Sequence, residues 1–120
     1  MVEFVLWPEG AMQKRQVEEY LSKQQQKDLL AIETKLEHYT RNGLVDGLRT
    51  KKIKKFIGKG YFKLYEFIIK KHRFFGCLHN GKCYLVLVFK KQSNKTPSDE
   101  RDAANACCKI IINTINNKKN

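Results

Sequence analysis

The chain is 120 residues long and carries 24 Lys and Arg against 12 Asp and Glu, a net charge of +12. That length suits one domain, spanning residues 1–120, with a modest core. A basic excess of this size points to a polyanion as partner, with a solubilising surface or an acidic protein partner as the alternatives. No apolar stretch approaches the ~20 residues of a membrane-spanning helix. The apolar run from Met1 to Trp7 is too short for a secretory signal and is broken by Glu3. A cytoplasmic protein with no membrane partner is therefore expected.

In chain order, Val2 to Leu6 predicts a short strand closed by Trp7-Pro8-Glu9-Gly10. A helix follows from Ala11, with Val17, Tyr20 and Leu21 on one face and the Gln24–Gln26 run on its surface. Leu29, Ile32, Leu36 and Tyr39 recur at spacings of three and four, which predicts a second helix over residues 28–41. Asn42-Gly43 is its stop. The two helices form a hairpin whose apolar stripes need a sheet to cover.

Residues 49–73 hold ten cations against the single carboxylate of Glu66, interleaved with Ile53, Phe56, Ile57, Tyr61, Phe62, Leu64, Phe67 and Ile69. This mixture predicts a strand over 53–57, a turn at Gly58–Gly60 and a strand over 61–69. Two further strands, 72–78 and 83–89, flank Asn80-Gly81, the pair that favours a two-residue hairpin turn. Pairing about that turn brings Arg73 close to Lys90 and Lys91. Tyr84 to Phe89 is apolar without alternation and reads as the central strand, covered on both faces. A last helix opens at Thr96-Pro97-Ser98-Asp99-Glu100, its acidic first turn suited to the helix dipole. Its expected apolar side is Ala103, Ala104, Cys107, Ile110, Ile111 and Thr114, and a frayed tail is expected over 116–120. The fold class is α+β.

Cys107 and Cys108 are adjacent in that helix, and Cys77 and Cys83 flank the hairpin turn, so no disulfide framework is indicated and free thiols are expected. Cys77, His79 and Cys83 match none of the paired Cys-x-x-Cys spacings that signal zinc. Neither metal nor cofactor is implied. Glu66 is expected to pair with a neighbouring cation. Tyr61, Phe62, Phe67, Phe74 and Phe75 are expected mostly in the core.

Three stretches carry a resemblance. They are Leu64-Tyr65-Glu66-Phe67 within the aromatic-rich segment 53–67, then Arg73-Phe74-Phe75. The third, most specific, is Phe89-Lys90-Lys91-Gln92-Ser93-Asn94-Lys95-Thr96-Pro97, followed by Glu100 and Ala103. In these, and in its element order, the chain resembles the RelE/HigB toxins of bacterial type II toxin–antitoxin systems, closest to the phage-derived HigB-like branch of the RelE/ParE superfamily. The resemblance implies a RelE-like fold: an N-terminal strand and helical hairpin on a small, mainly antiparallel sheet, with a C-terminal helix. It implies ribosome-dependent mRNA cleavage, in which a 2′-hydroxyl attacks the neighbouring phosphate to leave a 2′,3′-cyclic phosphate. The implied partners are a cognate antitoxin of helix-turn-helix type, the ribosome and mRNA, with operator DNA met only through the antitoxin.

On this resemblance Arg73 falls on the catalytic Arg, stabilising charge that develops on the phosphate. Lys90 and Lys91 match the basic pair that holds the phosphate or leaving oxygen. Strand alternation lets one of the two face the site, and Lys91 is preferred because it shares a face with Phe89. Lys52, Lys54, Lys55, Lys63, Lys70, Lys71 and Lys95 form the expected nucleic-acid surface. Ile68 stands where the family has an Arg, so one phosphate contact is missing or is supplied by Lys70 or Lys71. His72 and Arg73 are strand neighbours facing opposite ways, so both cannot serve one site, and the general base is unassigned. A basic module that binds RNA or protein without cleaving, and a ParE-like gyrase inhibitor, are the alternatives.

Overall fold

The computed structural model describes residues 2–6, 12–56, 63–91 and 98–118. The expected turns at 7–10 and 58–60, and the signature residues Gln92 to Pro97 including Lys95, lie outside them. Strand β1 (Glu3–Leu6) leads to helices α1 (Met12–Ser22), α2 (Gln26–Asn42) and the short α3 (Val45–Arg49). Then come β2 (Ile53–Phe56), β3 (Leu64–Ile69), β4 (His72–His79), β5 (Lys82–Lys90) and helix α4 (Ser98–Lys118). The strands form one mixed sheet in the order β1-β5-β4-β3-β2. β1 runs parallel to β5, and the other three pairings are antiparallel. Among the described residues no helix is long and apolar enough to cross a membrane.

The sheet separates two cores. On one face Val17 of α1, and Ile32 and Tyr39 of α2, pack with Tyr65, Phe67, Ile69, Phe74, Leu85 and Val88. On the other, Ala104, Cys108 and Ile111 of α4 pack with Leu64, Phe75, Cys77, Tyr84 and Val86. Cys77 and Cys83 belong to opposite cores, as neighbours across a pleated sheet must when their strand phases differ. All four cysteines are free thiols. Burial pushes the Cys83 thiol up, and a hydrogen bond with Cys77 followed by burial does the same to Cys108.

The Asn80-Gly81 turn forms as its sequence requires, both residues taking positive φ (52° and 79°). The strand order corrects one expectation: β4 is the middle strand, and β5 lies between it and β1. The apolar run in β5 has a second cause besides double-sided burial. Pairing steps from Gly76↔Leu85 to Phe75↔Leu87, so Val86 is an extra residue, a β-bulge. Val86 and Leu87 consequently both face α4. Gly76 lets the strands approach closely beside the bulge, since a Cβ there would lie 2.7 Å from Cys83 Sγ and 3.2 Å from the Tyr84 carbonyl oxygen. Past the end of β1, the side chain of Gln16 takes over the free edge of β5. Its Nε2 donates to the Val88 carbonyl (2.7 Å), and its Oε1 accepts from the Val88 N–H (3.1 Å).

Three helical expectations are corrected. Gln24 and Gln25 lie in the turn between α1 and α2, and Gln26 opens α2. That turn carries no Gly or Pro to announce it, and is closed by Lys23 N–H to Tyr20 O and Gln24 N–H to Leu21 O. α3 was not anticipated; it is a single turn, too short to show a periodicity. In α4 the buried side is Ala104, Cys108 and Ile111, whereas Ile110 is 61% exposed and Ala103 is exposed. The apolar residues span too wide an arc for the sequence to choose which line meets the sheet. The helix also continues to Lys118, past the expected start of fraying.

Candidate nucleic-acid interface

One end of the sheet collects the cations. β3 and β4 are joined by the two-residue turn Lys70-Lys71, with Ile69 paired to His72. β5 arrives beside it, pairing Lys90 with His72 and Phe89 with Arg73. The Lys91 N–H then donates to the Lys71 carbonyl (2.8 Å), extending the ladder by one step, while Ile68 N–H reaches the Lys52 carbonyl (2.9 Å). Backbone register alone thus brings Lys52, Lys70, Lys71, Arg73, Lys90 and Lys91 to one rim. Lys70 takes positive φ (55°), a backbone conformation uncommon for a residue other than Gly or Asn.

The rim has two faces, and the sheet divides the expected residues between them. Directly paired residues share a face, so Ile68, Arg73 and Phe89 form a row on the α4 side. Alternation beyond Phe89 puts Lys91 with them. Phe89 packs against the edge of the α4 core, and all three members of this row are half-buried. The next row inward is Lys54, Glu66 and Phe75. Glu66 is fully buried with Lys54 Nζ 3.9 Å from its Oε1, in line with the expected pairing. Lys90 lies on the other face, opposite His72, so it does not join Arg73 in one site; of the two lysines proposed beside Arg73, Lys91 is the one on its side. Lys55 also points to the helical-hairpin side, its ammonium 6.0 Å from the Tyr65 ring centroid. Lys63 stands at the far end of the sheet, its carbonyl accepting from Leu78 N–H.

Arg73 is held rather than free. Its Nη1 donates to the carbonyls of Lys70 (2.7 Å) and His72 (3.0 Å), bracing the β3–β4 turn. Its Nε is buried, with no hydrogen-bond partner among the described residues. A guanidinium presents its donors in a fixed fork, so pinning one nitrogen also fixes the direction of the others. The position expected to carry an Arg in the family, Ile68, is the direct cross-strand neighbour of Arg73. Its aliphatic side chain adds no donor to the row.

His72 faces the helical hairpin and is 3% exposed. Tyr20 Oη lies 2.7 Å from its Nδ1, and Asp28 Oδ2 lies 3.2 Å from its Nε2. An ionised carboxylate only accepts, so Nε2 carries the proton toward Asp28, and in the neutral ring Nδ1 accepts from the tyrosine. Burial, then the Asp28 charge, pushes the Tyr20 pKa up and keeps its hydroxyl protonated as that donor. Asp28 is the residue that sequence reasoning missed. The hydrogen bond from His72, aided by Lys70 at 3.3 Å, holds its carboxyl below the usual carboxylate range.

A depressed native pKa contributes stability above the unfolded value, near 3.9, and that contribution disappears as pH falls through the native value. Asp28→Asn is therefore expected to destabilise the protein at pH 7, with a deficit in urea unfolding that shrinks as pH falls below about 3.9. A deficit independent of pH would show that the ionised carboxylate is not the source.

No protein-family model matches this chain, and no curated protein matches it.

Proposed function

We propose that the chain is an RNA-cleaving toxin of the RelE/HigB type, acting on mRNA at the ribosome, with the Arg73 row as its phosphate-contacting floor. The observation that carries this reading is the guanidinium of Arg73. It is clamped through Nη1 to two backbone carbonyls, in a row with Ile68 and Phe89 at the cationic rim. Donors fixed in advance where charge develops stabilise a transition state without reorganising during the reaction.

In the proposed step the 2′-oxygen bonds to the adjacent phosphorus as its proton leaves. The bond to the 5′-oxygen breaks, and that oxygen gains a proton. Arg73 and Lys91 would stabilise the negative charge on the phosphoryl oxygens. The α+β order, with β1 parallel to β5 beside an antiparallel β2–β5 meander, is compatible with the RelE-like fold proposed for the chain. A small antitoxin, and operator DNA through it, are the proposed partners.

A second reading, an RNA-binding module without cleavage, is favoured by one observation. His72, next to Arg73 in sequence, is turned to the opposite face and bonded to Tyr20 and Asp28. Mapping of RNA 5′ ends after brief induction in a bacterial host separates the two. New ends within coding regions, carrying 5′-hydroxyls, are expected. Co-purified RNA with no new ends would favour the binding module, and DNA breaks without RNA ends would favour a gyrase poison.

A further inference from the structure

We propose that the cleft on the helical-hairpin face of the same rim is a separate binding site for linked phosphates. It lies between the α1–α2 turn and the β3–β4 turn, has a volume of about 510 Å³, and carries five lysines: Lys23, Lys27, Lys70, Lys71 and Lys90. That volume is within the range of small-molecule sites. The sheet separates it from the Arg73 row, and its occupancy does not depend on strand cleavage.

The charge in the cleft is not neutralised from within. Asp28 is its single carboxylate, and both of its oxygens are engaged, Oδ1 by Lys70 and Oδ2 by His72. Lys23, Lys27, Lys71 and Lys90 form no ion pair with any described residue. Four ammonium groups gathered in one concavity repel one another, a cost that a multivalent anion offsets. Each ammonium offers three rotatable donors on a flexible stem, suited to several phosphoryl oxygens at once.

The floor and one wall are rigid. His72 is almost wholly buried and is fixed between Tyr20 and Asp28. The wall is the N-terminus of the 17-residue α2, whose N-cap residue Gln25 makes no side-chain cap. The N-terminus of that helix adds the positive end of its dipole to the wall. These elements differ in origin, since one lysine comes from the α1–α2 turn, one from the first turn of α2, two from a β-turn and one from the end of β5. A shared anion accounts for their convergence.

The ligand class is two or more linked phosphates, either in a free polyphosphate or along an RNA strand. The test is calorimetric titration of the full chain with tripolyphosphate at low salt. Saturable 1:1 binding is expected, weakened at least tenfold in Lys27→Gln/Lys90→Gln. It should change less than twofold in Lys63→Gln/Lys82→Gln, which removes the same charge at the far end of the sheet. Equal weakening by both doubles, or no saturable binding by the parent, would overturn the proposal. An RNA oligonucleotide lacking a terminal phosphate identifies the source. If it displaces tripolyphosphate and itself loses affinity in Lys27→Gln/Lys90→Gln, the site takes a strand. If its binding ignores those lysines while tripolyphosphate binding is lost, the site takes a free polyphosphate.

Discussion

Replacing Arg73 by alanine is expected to lower RNA cleavage by roughly 10²–10³-fold, the usual effect of deleting one preorganised donor to a developing oxyanion. Growth arrest on induction should disappear with it. The substitution has a structural side as well, because the Lys70 and His72 carbonyls both lose the Nη1 donor. Arg73→Lys distinguishes the two contributions. Lysine retains a cation at the rim but lacks the planar fork, so it cannot brace two carbonyls while holding a second nitrogen in the same plane. Cleavage by Arg73→Lys should stay within about tenfold of the alanine variant if the fork matters, with circular dichroism unchanged for both. Full activity in a folded Arg73→Ala protein would remove Arg73 from the site and, with it, the main support for the nuclease reading.

The largest stability effect is expected at Phe75. Its ring is fully buried, lies 5.6 Å from Phe89 in a stacked arrangement with a 27° interplanar angle, and lies 6.0 Å from Phe56. It also sits at the step in register opposite the Val86 bulge. Phe75→Ala should cost about 3–5 kcal/mol in urea unfolding, since the rigid sheet around the cavity cannot collapse into it. Domains of this size have only about 5–15 kcal/mol in total. Ile110→Ala serves as the contrast, with an expected change within about 0.5 kcal/mol because that side chain faces solvent. A loss below about 1 kcal/mol at Phe75 would mean that α4 does not cover this row as described.

Much of the architecture was legible in the residues. The period of Ile32, Leu36 and Tyr39 required a helix with one buried stripe, and Gly43, at φ 79°, ends it as expected. Asn80-Gly81 dictated a tight turn and hence the pairing from His79↔Lys82 to Gly76↔Leu85. Neighbouring strand residues point apart, so the opposition of His72 and Arg73 was also fixed locally. These are short-range consequences of backbone geometry, and the sequence carries them in full.

What only the tertiary structure decided is which cations share a surface. Tyr84 faces α4, and simple alternation from it would carry Val86, Val88 and Lys90 to the same side. The extra residue at Val86 inverts that phase, so Phe89 and Lys91 meet the Arg73 row while Lys90 turns to the helical hairpin. The bulge has no local signature in Tyr84 to Phe89. In the same way Asp28, Lys23 and Lys27 belong to a helix and its leading turn some 40 to 70 residues away from His72 and Lys90, and only the packing of the hairpin on the sheet joins them. Composition determined a surface with a large excess of cations; long-range packing determined that its rim has two distinct faces.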